Sequence, residues 1–382
     1  MSVPHQHLER SAHTGQQLPG RRGPARAQHP RLAAAAALGV GMIAVAAGAG
    51  IGIRHLQKTG LTLETVIGLT LLVVGLILLG YAATVAWKTL HGWWRLTLLP
   101  VAVVVLQVLL SATVAVLYAV VPPIALGSGT PADEGLDYRD VTFTTSDGVE
   151  LSAWFVPSRN GAAVVLKHGA GSTRTETIRH AGVLAGHGYG VLMMDARGHG
   201  RSDGTGMDIG WHGEEDTTAA VMFLSRQDGV APTKIGVVGL SMGGEEAIGA
   251  AGVDPRISAV VAEGATGRTV ADNDDIRPDD AASTLERTVE RFTYGLTDLL
   301  SAASPPASLR SSVAAAGDTE FLLVVAGTVE REALAAASMR SVDPQRVEVW
   351  TVPGAAHVQG LGAAPDEWER RVVGFLDNQL GP

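Results

Sequence analysis

Along the first third of the chain, polar residues interrupt apolar ones only at wide intervals. Three uncharged apolar stretches stand there, at residues 32–53, 65–87 and 96–126. Each meets the roughly 20 residues a helix needs to cross a hydrocarbon core about 30 Å thick. Buried helices of soluble proteins are seldom so long and so apolar. The pattern therefore predicts three spanning helices, the third giving way near Pro122 and Pro123, which cannot donate to a helix.

From about residue 138 the period changes. Short β-prone runs at 141–145 and 151–156 flank Asp147-Gly148, a dipeptide suited to a tight hairpin turn. Apolar runs follow at 162–166, 191–194, 235–238, 257–261, 321–325 and 347–352, and helix-like segments at 214–224, 245–251, 331–339 and 366–380 separate most of them. Such alternation predicts an α/β domain: a mostly parallel sheet covered by helices on both faces, with antiparallel strands at its start. Functional groups in such domains stand at the carboxyl ends of the strands. The predicted organisation is a disordered tail (1–31), a three-helix membrane segment (32–126), a linker (127–137) and an α/β domain (138–382).

Charge separates the two halves. Up to residue 126 the chain holds nine Lys or Arg against two Asp or Glu, and beyond it 20 against 36. An acidic domain without a basic patch argues against nucleic acid as a partner, and the absence of cysteine excludes a disulfide scaffold and a Cys-based zinc site. Arg10, Arg21, Arg22, Arg26 and Arg31 precede the first span, and Lys88 and Arg95 lie between the second and third. Only Arg54 and Lys58 lie between the first and second. The positive-inside bias thus predicts a cytoplasmic N-terminus and an extracytoplasmic domain. A cleaved signal peptide is the rival reading of the first stretch and leaves the domain on the same side. Trp87, Trp93 and Trp94 suit an interfacial belt, and Glu64 suits the membrane surface. His5, His7, His13 and His29 are too irregularly spaced to read as a metal tract.

The sharpest chemical signal follows the run at 235–238, where Gly239-Leu240-Ser241-Met242-Gly243 is followed by helix formers. It matches G-x-S-x-G in the strand-turn-helix setting that the pattern requires. A serine hydroxyl needs a base. His357, between the last predicted strand and the last predicted helix, can bring an imidazole over Ser241. A carboxylate must then orient that imidazole. Glu330, just past the preceding strand, is the first choice, with Glu332 and Glu263 as alternatives. The small residues of Lys167-His168-Gly169-Ala170-Gly171-Ser172 let backbone amides face the site, so Ala170 N–H and Met242 N–H are the expected oxyanion hole. His168 reads as a shaper of that loop. The loop Asp195-Ala196-Arg197-Gly198-His199-Gly200-Arg201-Ser202 reads as a hydrogen-bonded scaffold, because no Walker Lys-Ser/Thr pair follows it.

With the hairpin start, the HGAGS loop, the DARGHGRS loop, the GLSMGG elbow, the acid and the histidine in this order, residues 138–380 resemble the α/β-hydrolase fold family. The likeness is greatest to its membrane-associated esterase and serine-aminopeptidase-like members. The resemblance implies an eight-stranded sheet, acyl transfer through a serine ester, and neither metal nor organic cofactor. It implies Ser241 as nucleophile, His357 as base, Glu330 as acid and the amides of Met242 and Ala170 as the hole. Glutamate stands where the family more often has aspartate, which keeps Glu263 in contention. The implied substrate is a small-molecule ester, or less favoured a peptide or amide, and the three-helix anchor, which implies contact with a lipid bilayer, lies outside the resemblance. A non-catalytic binding module and acyl transfer to another acceptor are the competing readings. A small cap is expected around residues 264–318, with a mobile acidic stretch at 272–280. After it, Leu285, Val289, Phe292, Leu296 and Leu299 at helical spacing predict a helix face packed on the core.

Overall fold

A computed structural model describes residues 29–381 of the chain. The tail expected to be disordered lies outside these residues up to position 28, as do His5, His7 and His13; His29 stands at the N-terminal edge of the first helix.

Three helices long and apolar enough to cross a membrane come first: α1 (Pro30–Thr59), α2 (Leu63–Thr89) and α3 (Gly92–Ala119). Helix α1 runs beyond the predicted residue 53. Its turn Gly48–Ile53 is π-helical, and there it meets α2 backbone to backbone. A Cβ on Gly48 would stand 2.3 Å from Leu72 N, and one on Gly52 2.7 Å from Gly68 C. Only glycine permits this approach. Helix α3 stops at Ala119, well short of the predicted residue 126. Val121 precedes Pro122 and is pushed out of the helical region. The chain continues extended, with Val121 bridging Gly206 and Ile124 bridging His199.

The turn between α1 and α2 lies at the same end of the helices as this exit. Arg54 pairs with Asp208 of the C-terminal domain, and Lys58 Nζ comes within 3.8 Å of the point where a Cβ on Gly171 would lie.

The C-terminal domain is built on one eight-stranded sheet. Its strands are β1 (Arg139–Thr144), β2 (Glu150–Val156), β3 (Ala163–Lys167), β4 (Gly190–Met194), β5 (Ile235–Leu240), β6 (Ile257–Glu263), β7 (Glu320–Ala326) and β8 (Val347–Val352), in the spatial order β1-β2-β4-β3-β5-β6-β7-β8. β1 pairs antiparallel with β2, and β2 antiparallel with β4; the other neighbours are parallel. Helices α4 (Ile178–Gly186), α5 (Gly213–Leu224) and α6 (Met242–Ala251) follow β3, β4 and β5. The segment between β6 and β7, where a cap was expected, contributes α7 (Val270–Asp274), α8 (Ala281–Leu300) and α9 (Leu309–Ala315). After β7 comes α10 (Glu330–Arg340), and after β8 the short α11 (Gly360–Ala363) and α12 (Pro365–Leu380).

Alternation along each strand divides the core in two. Val165, Leu192 and Val237 face α5 and α6 through Val221, Leu224, Ala247 and Ile248. Val164, Leu166, Met193 and Val238 belong to the opposite core, where α4 and α12 contribute Leu184, Trp368, Val372 and Leu376. Both faces are covered, so the parallel strands read as continuous apolar runs.

The cap departs from expectation in two ways. The acidic stretch after residue 272 is tied down, because buried Asp272 accepts hydrogen bonds from the backbone N–H groups of Arg268, Thr269 and Leu309. Asp274 pairs with Arg277 and Arg287. In addition, the apolar stripe of α8 is not packed on the core. Leu285, Phe292 and Leu299 are exposed, and the buried face is lined instead by Ser283, Thr293 and Thr297. Glu290, held by Asn273 and Arg277, keeps the polar side of α8 against the domain.

Candidate active site

At the end of β5 the chain must turn at once into α6, and Ser241 sits at the corner with φ 52° and ψ −120°. A non-glycine residue in this region is strained. The neighbouring glycines are obligatory here: a Cβ on Gly239 would lie 2.1 Å from Gly243 O, and one on Gly243 2.7 Å from His168 O. The corner is fastened by Ser241 N–H, which donates to Glu263 O at 2.7 Å.

His357 lies between β8 and α11. Its Nε2 is 2.9 Å from Ser241 Oγ, and its Nδ1 is 2.7 Å from Glu332 Oε1. A carboxylate only accepts, so Nδ1 carries the proton and Nε2 is left to accept from the serine hydroxyl. Val358, next in sequence, has φ 50°, a second strained residue beside the site. The hydrogen bond to Glu332 raises the His357 pKa above the ordinary histidine value, against a smaller opposing effect of burial.

The carboxylate at the imidazole is therefore Glu332 and not Glu330, the first choice from the sequence. Both lie in the first turn of α10, where two positions along the helix place side chains on nearly opposite sides. Glu330 points to solvent. Glu332 turns inward, is 1% exposed, and its Oε2 accepts Ala326 N–H at 2.7 Å. Glu263 has a different task. Its two oxygens accept Gly360 N–H at 2.7 Å and Trp368 Nε1–H at 3.1 Å, which ties the histidine loop to the sheet. Burial raises the Glu263 pKa.

Gly169 N–H is taken by Glu176 Oε2 at 2.8 Å. Among the described residues, Ala170 N–H and Met242 N–H have no protein acceptor, so both amides are free to receive a negative oxygen. His168 supports the loop, with Nδ1 donating to Gly169 O at 2.8 Å and Nε2 accepting Ala196 N–H at 3.0 Å. Complete burial lowers its pKa to about 3, so it stays neutral and is no second base. Asp195 serves the neighbouring loop by accepting Arg174 N–H at 2.8 Å and Arg201 N–H at 3.0 Å.

Three supporting residues escaped the sequence reading. Lys167 and Glu246 form a buried ion pair at 2.8 Å beneath the elbow, with Lys167 also donating to Thr217. Glu245 Oε1 accepts Thr266 N–H at 3.0 Å and Gly267 N–H at 2.8 Å. Burial raises the pKa of both glutamates. The available signal was an adjacent acidic pair in an otherwise small, apolar helix, Met242-Gly243-Gly244-Glu245-Glu246-Ala247. Gly264 was also missed. Its φ is +75°, and a Cβ there would lie 2.9 Å from His357 Cε1. Among the described residues, no group of three or more His, Asp or Glu side chains is set to hold a metal ion.

The chain is similar to several known proteins. Residues 158–313 match the family described as serine aminopeptidase, S33. A thiohydrolase, aneE, of Aspergillus aculeatus is 35% identical over 136 residues, 35% of this chain and 43% of that protein. A polyketide transferase, ATR5, of Stachybotrys chlorohalonatus is 36% identical over 128 residues, 32% of this chain and 43% of that protein. The chain thus spans under half the length of these curated relatives. The Pyrococcus furiosus esterase Pf2001 superposes with a TM-score of 0.54 at 28% identity, covering 69% of this chain and 98% of that one.

Proposed function

Because the C-terminal domain has the α/β-hydrolase fold, we propose that this protein is a membrane-anchored serine hydrolase that cleaves carboxylic esters through Ser241, His357 and Glu332. The observation that carries the reading is the unbroken hydrogen-bond line from Glu332 through His357 to a serine held at a strained corner. The esterase likeness supports an ester as substrate.

In the reaction, His357 Nε2 takes the Ser241 proton as Oγ attacks the ester carbonyl. Glu332 stabilises the imidazolium that forms, and the negative oxygen of the tetrahedral intermediate receives hydrogen bonds from Met242 N–H and Ala170 N–H. Collapse of the intermediate passes the proton from His357 to the departing alcohol and leaves an acyl-serine. Water, deprotonated by the same imidazole, then releases the acid and restores Ser241. The raised His357 pKa suits this exchange, since the imidazolium is stabilised where it must exist briefly.

Two considerations support an extracytoplasmic domain anchored by α1–α3. The cation bias of the loops is one. The other bears on the anchor itself: the turn bearing Arg54 and Lys58 lies at the domain's end of the helices, as three passes across a bilayer require whichever side the domain faces.

The test is labelling of the purified full-length protein with a fluorophosphonate, followed by hydrolysis of graded esters beside thioesters and aminoacyl-nitroanilides. Labelling on Ser241 and preferential ester cleavage are expected. A folded protein that takes no label on Ser241 refutes the enzyme reading in favour of a binding module. A second reading, acyl transfer or thioester cleavage on the same triad, is favoured by the names of the two fungal relatives. Product analysis with competing alcohol and amine acceptors separates it from simple hydrolysis.

A further inference from the structure

The anchor does more than precede the domain in sequence, since its outer end is built into the surroundings of the site. On one side, Lys58 reaches the HGAGS loop at Gly171, and Arg54 holds Asp208. On the other, Tyr118 at the end of α3 joins Tyr294 of α8, ring centroids 6.4 Å apart, and Tyr294 meets Trp211 at 6.1 Å. Met207, Ile209 and Ala303 complete this apolar cluster. Gly210, inside the same loop, abuts Met242: a Cβ on it would lie 2.9 Å from Met242 Cγ. A packed wall, apolar except for the Glu246 side chain that Gly210 also abuts, therefore runs from the end of α3 to the residue after Ser241.

Helix α8 stands on that wall and packs against α3. Its Leu285, Phe292 and Leu299, two turns apart in succession, are 66%, 44% and 80% exposed. Helical periodicity puts them on one stripe, with half-buried Val289 and Leu296 between them. Further along α3 from the contact at Tyr118, Val103, Val104, Leu106 and Leu110 are likewise exposed, a surface that a spanning helix turns to lipid. Glu286, Arg287, Arg291 and Asp298 on the rest of α8 exclude full insertion. An amphipathic helix of this kind lies in the interface with its apolar face among the acyl chains.

We propose that α8 is an interfacial helix whose Leu285–Phe292–Leu299 stripe is seated in the bilayer, so that the site opens at the membrane surface and takes esters of bilayer-resident amphiphiles. This rests on the anchored serine hydrolase reading above and names its substrate class.

The chain has no cysteine, so single labels can be introduced cleanly. Full-length Phe292→Cys, Leu299→Cys, Arg291→Cys and Val74→Cys are each labelled with an environment-sensitive fluorophore and reconstituted into phosphatidylcholine vesicles containing a doxyl-labelled phosphatidylcholine. Quenching at positions 292 and 299, with little at 291, is the expected result. Equal quenching at 291 and 292, or none at 292 and 299 while Val74→Cys in the middle of α2 is quenched, overturns the inference and leaves the anchor intact. No quenching at position 74 overturns the anchored reading and this one together.

The substrate class is read separately. In Phe292→Asp/Leu299→Asp, the rate on a long-chain ester embedded in the same vesicles should fall about 10-fold or more relative to that on a water-soluble butyrate ester, as loss of two lipid-seated apolar side chains requires. An unchanged ratio overturns the substrate assignment. Absence of fluorophosphonate labelling in the parent protein removes the hydrolase reading instead, a failure the fluorescence experiment cannot mimic.

Discussion

Substituting Glu332 by glutamine tests the site at its most informative point. Both oxygens of Glu332 accept from groups that only donate in this arrangement, His357 Nδ1–H at 2.7 Å and Ala326 N–H at 2.7 Å. A glutamine has one oxygen and one NH₂, so one of the two donors must face another donor. If the oxygen stays on Ala326, the NH₂ drives Nδ1 to give up its proton, and the proton moves to Nε2. Nε2–H then points at Ser241 Oγ and cannot take its proton. Wrong-tautomer substitutions in triads of this geometry lower kcat by about 10⁴. If the oxygen stays on His357, the tautomer survives, but buried Ala326 N–H loses its acceptor at a cost of about 1–3 kcal/mol in stability. The activity of Glu332→Gln on a soluble butyrate ester should therefore fall by about 10³–10⁴, while Glu330→Gln, altering a solvent-exposed carboxylate, changes it less than about twofold. The assay is kcat at saturating ester, with folding checked by thermal unfolding. A Glu332→Gln protein retaining more than a tenth of the parent kcat, or equal losses in the two variants, would refute the assignment of the acid.

Other consequences can be checked in the same preparations. Since the Glu332 hydrogen bond favours the imidazolium, deprotonation of His357 requires a higher pH, and kcat/KM should rise through a midpoint above the ordinary histidine value of about 6.5. A midpoint below 6, or a flat profile between pH 5 and 8, contradicts a histidine base held this way. Gly264→Ala forces a side chain into a φ of +75° and a Cβ within 2.9 Å of His357 Cε1. The displaced imidazole should cost on the order of 10²-fold in kcat, and a variant with parent activity shows that the loop yields freely. Glu263→Ala leaves Gly360 N–H and the Trp368 indole N–H without their acceptor, a loss of about 2–4 kcal/mol read as a lower unfolding midpoint. Unchanged thermal stability would show that Glu263 does not fasten the histidine loop.

Much of this architecture is written in local pattern. Apolar runs with turn residues between them yielded the strands β1 to β8 within a residue or two, because a strand covered on both faces cannot hide polar side chains in its middle. The elbow is local at Gly239, which Gly243 O four residues on demands, whereas Gly243 is demanded by the backbone of Lys167 and His168 at the end of β3. The three long apolar helices follow from composition alone.

What pattern does not carry is the direction in which a side chain points once its element is packed. Glu330 and Glu332 stand two apart in one helical turn, and no periodicity tells which faces the imidazole; the rotation of α10 against β7 decides it. The stripe of α8 has the spacing of a core-packed face, yet the core-facing positions belong to Thr293 and Thr297, because contacts with α3 and α7 set the roll of the helix. Sequence by itself therefore determined the sheet, the strained serine corner and the apolar helices, all products of short-range sterics and solvent preference. Tertiary structure alone decided which carboxylate meets His357 and which face of the cap is left open, since both depend on how elements far apart in the chain are rotated against one another.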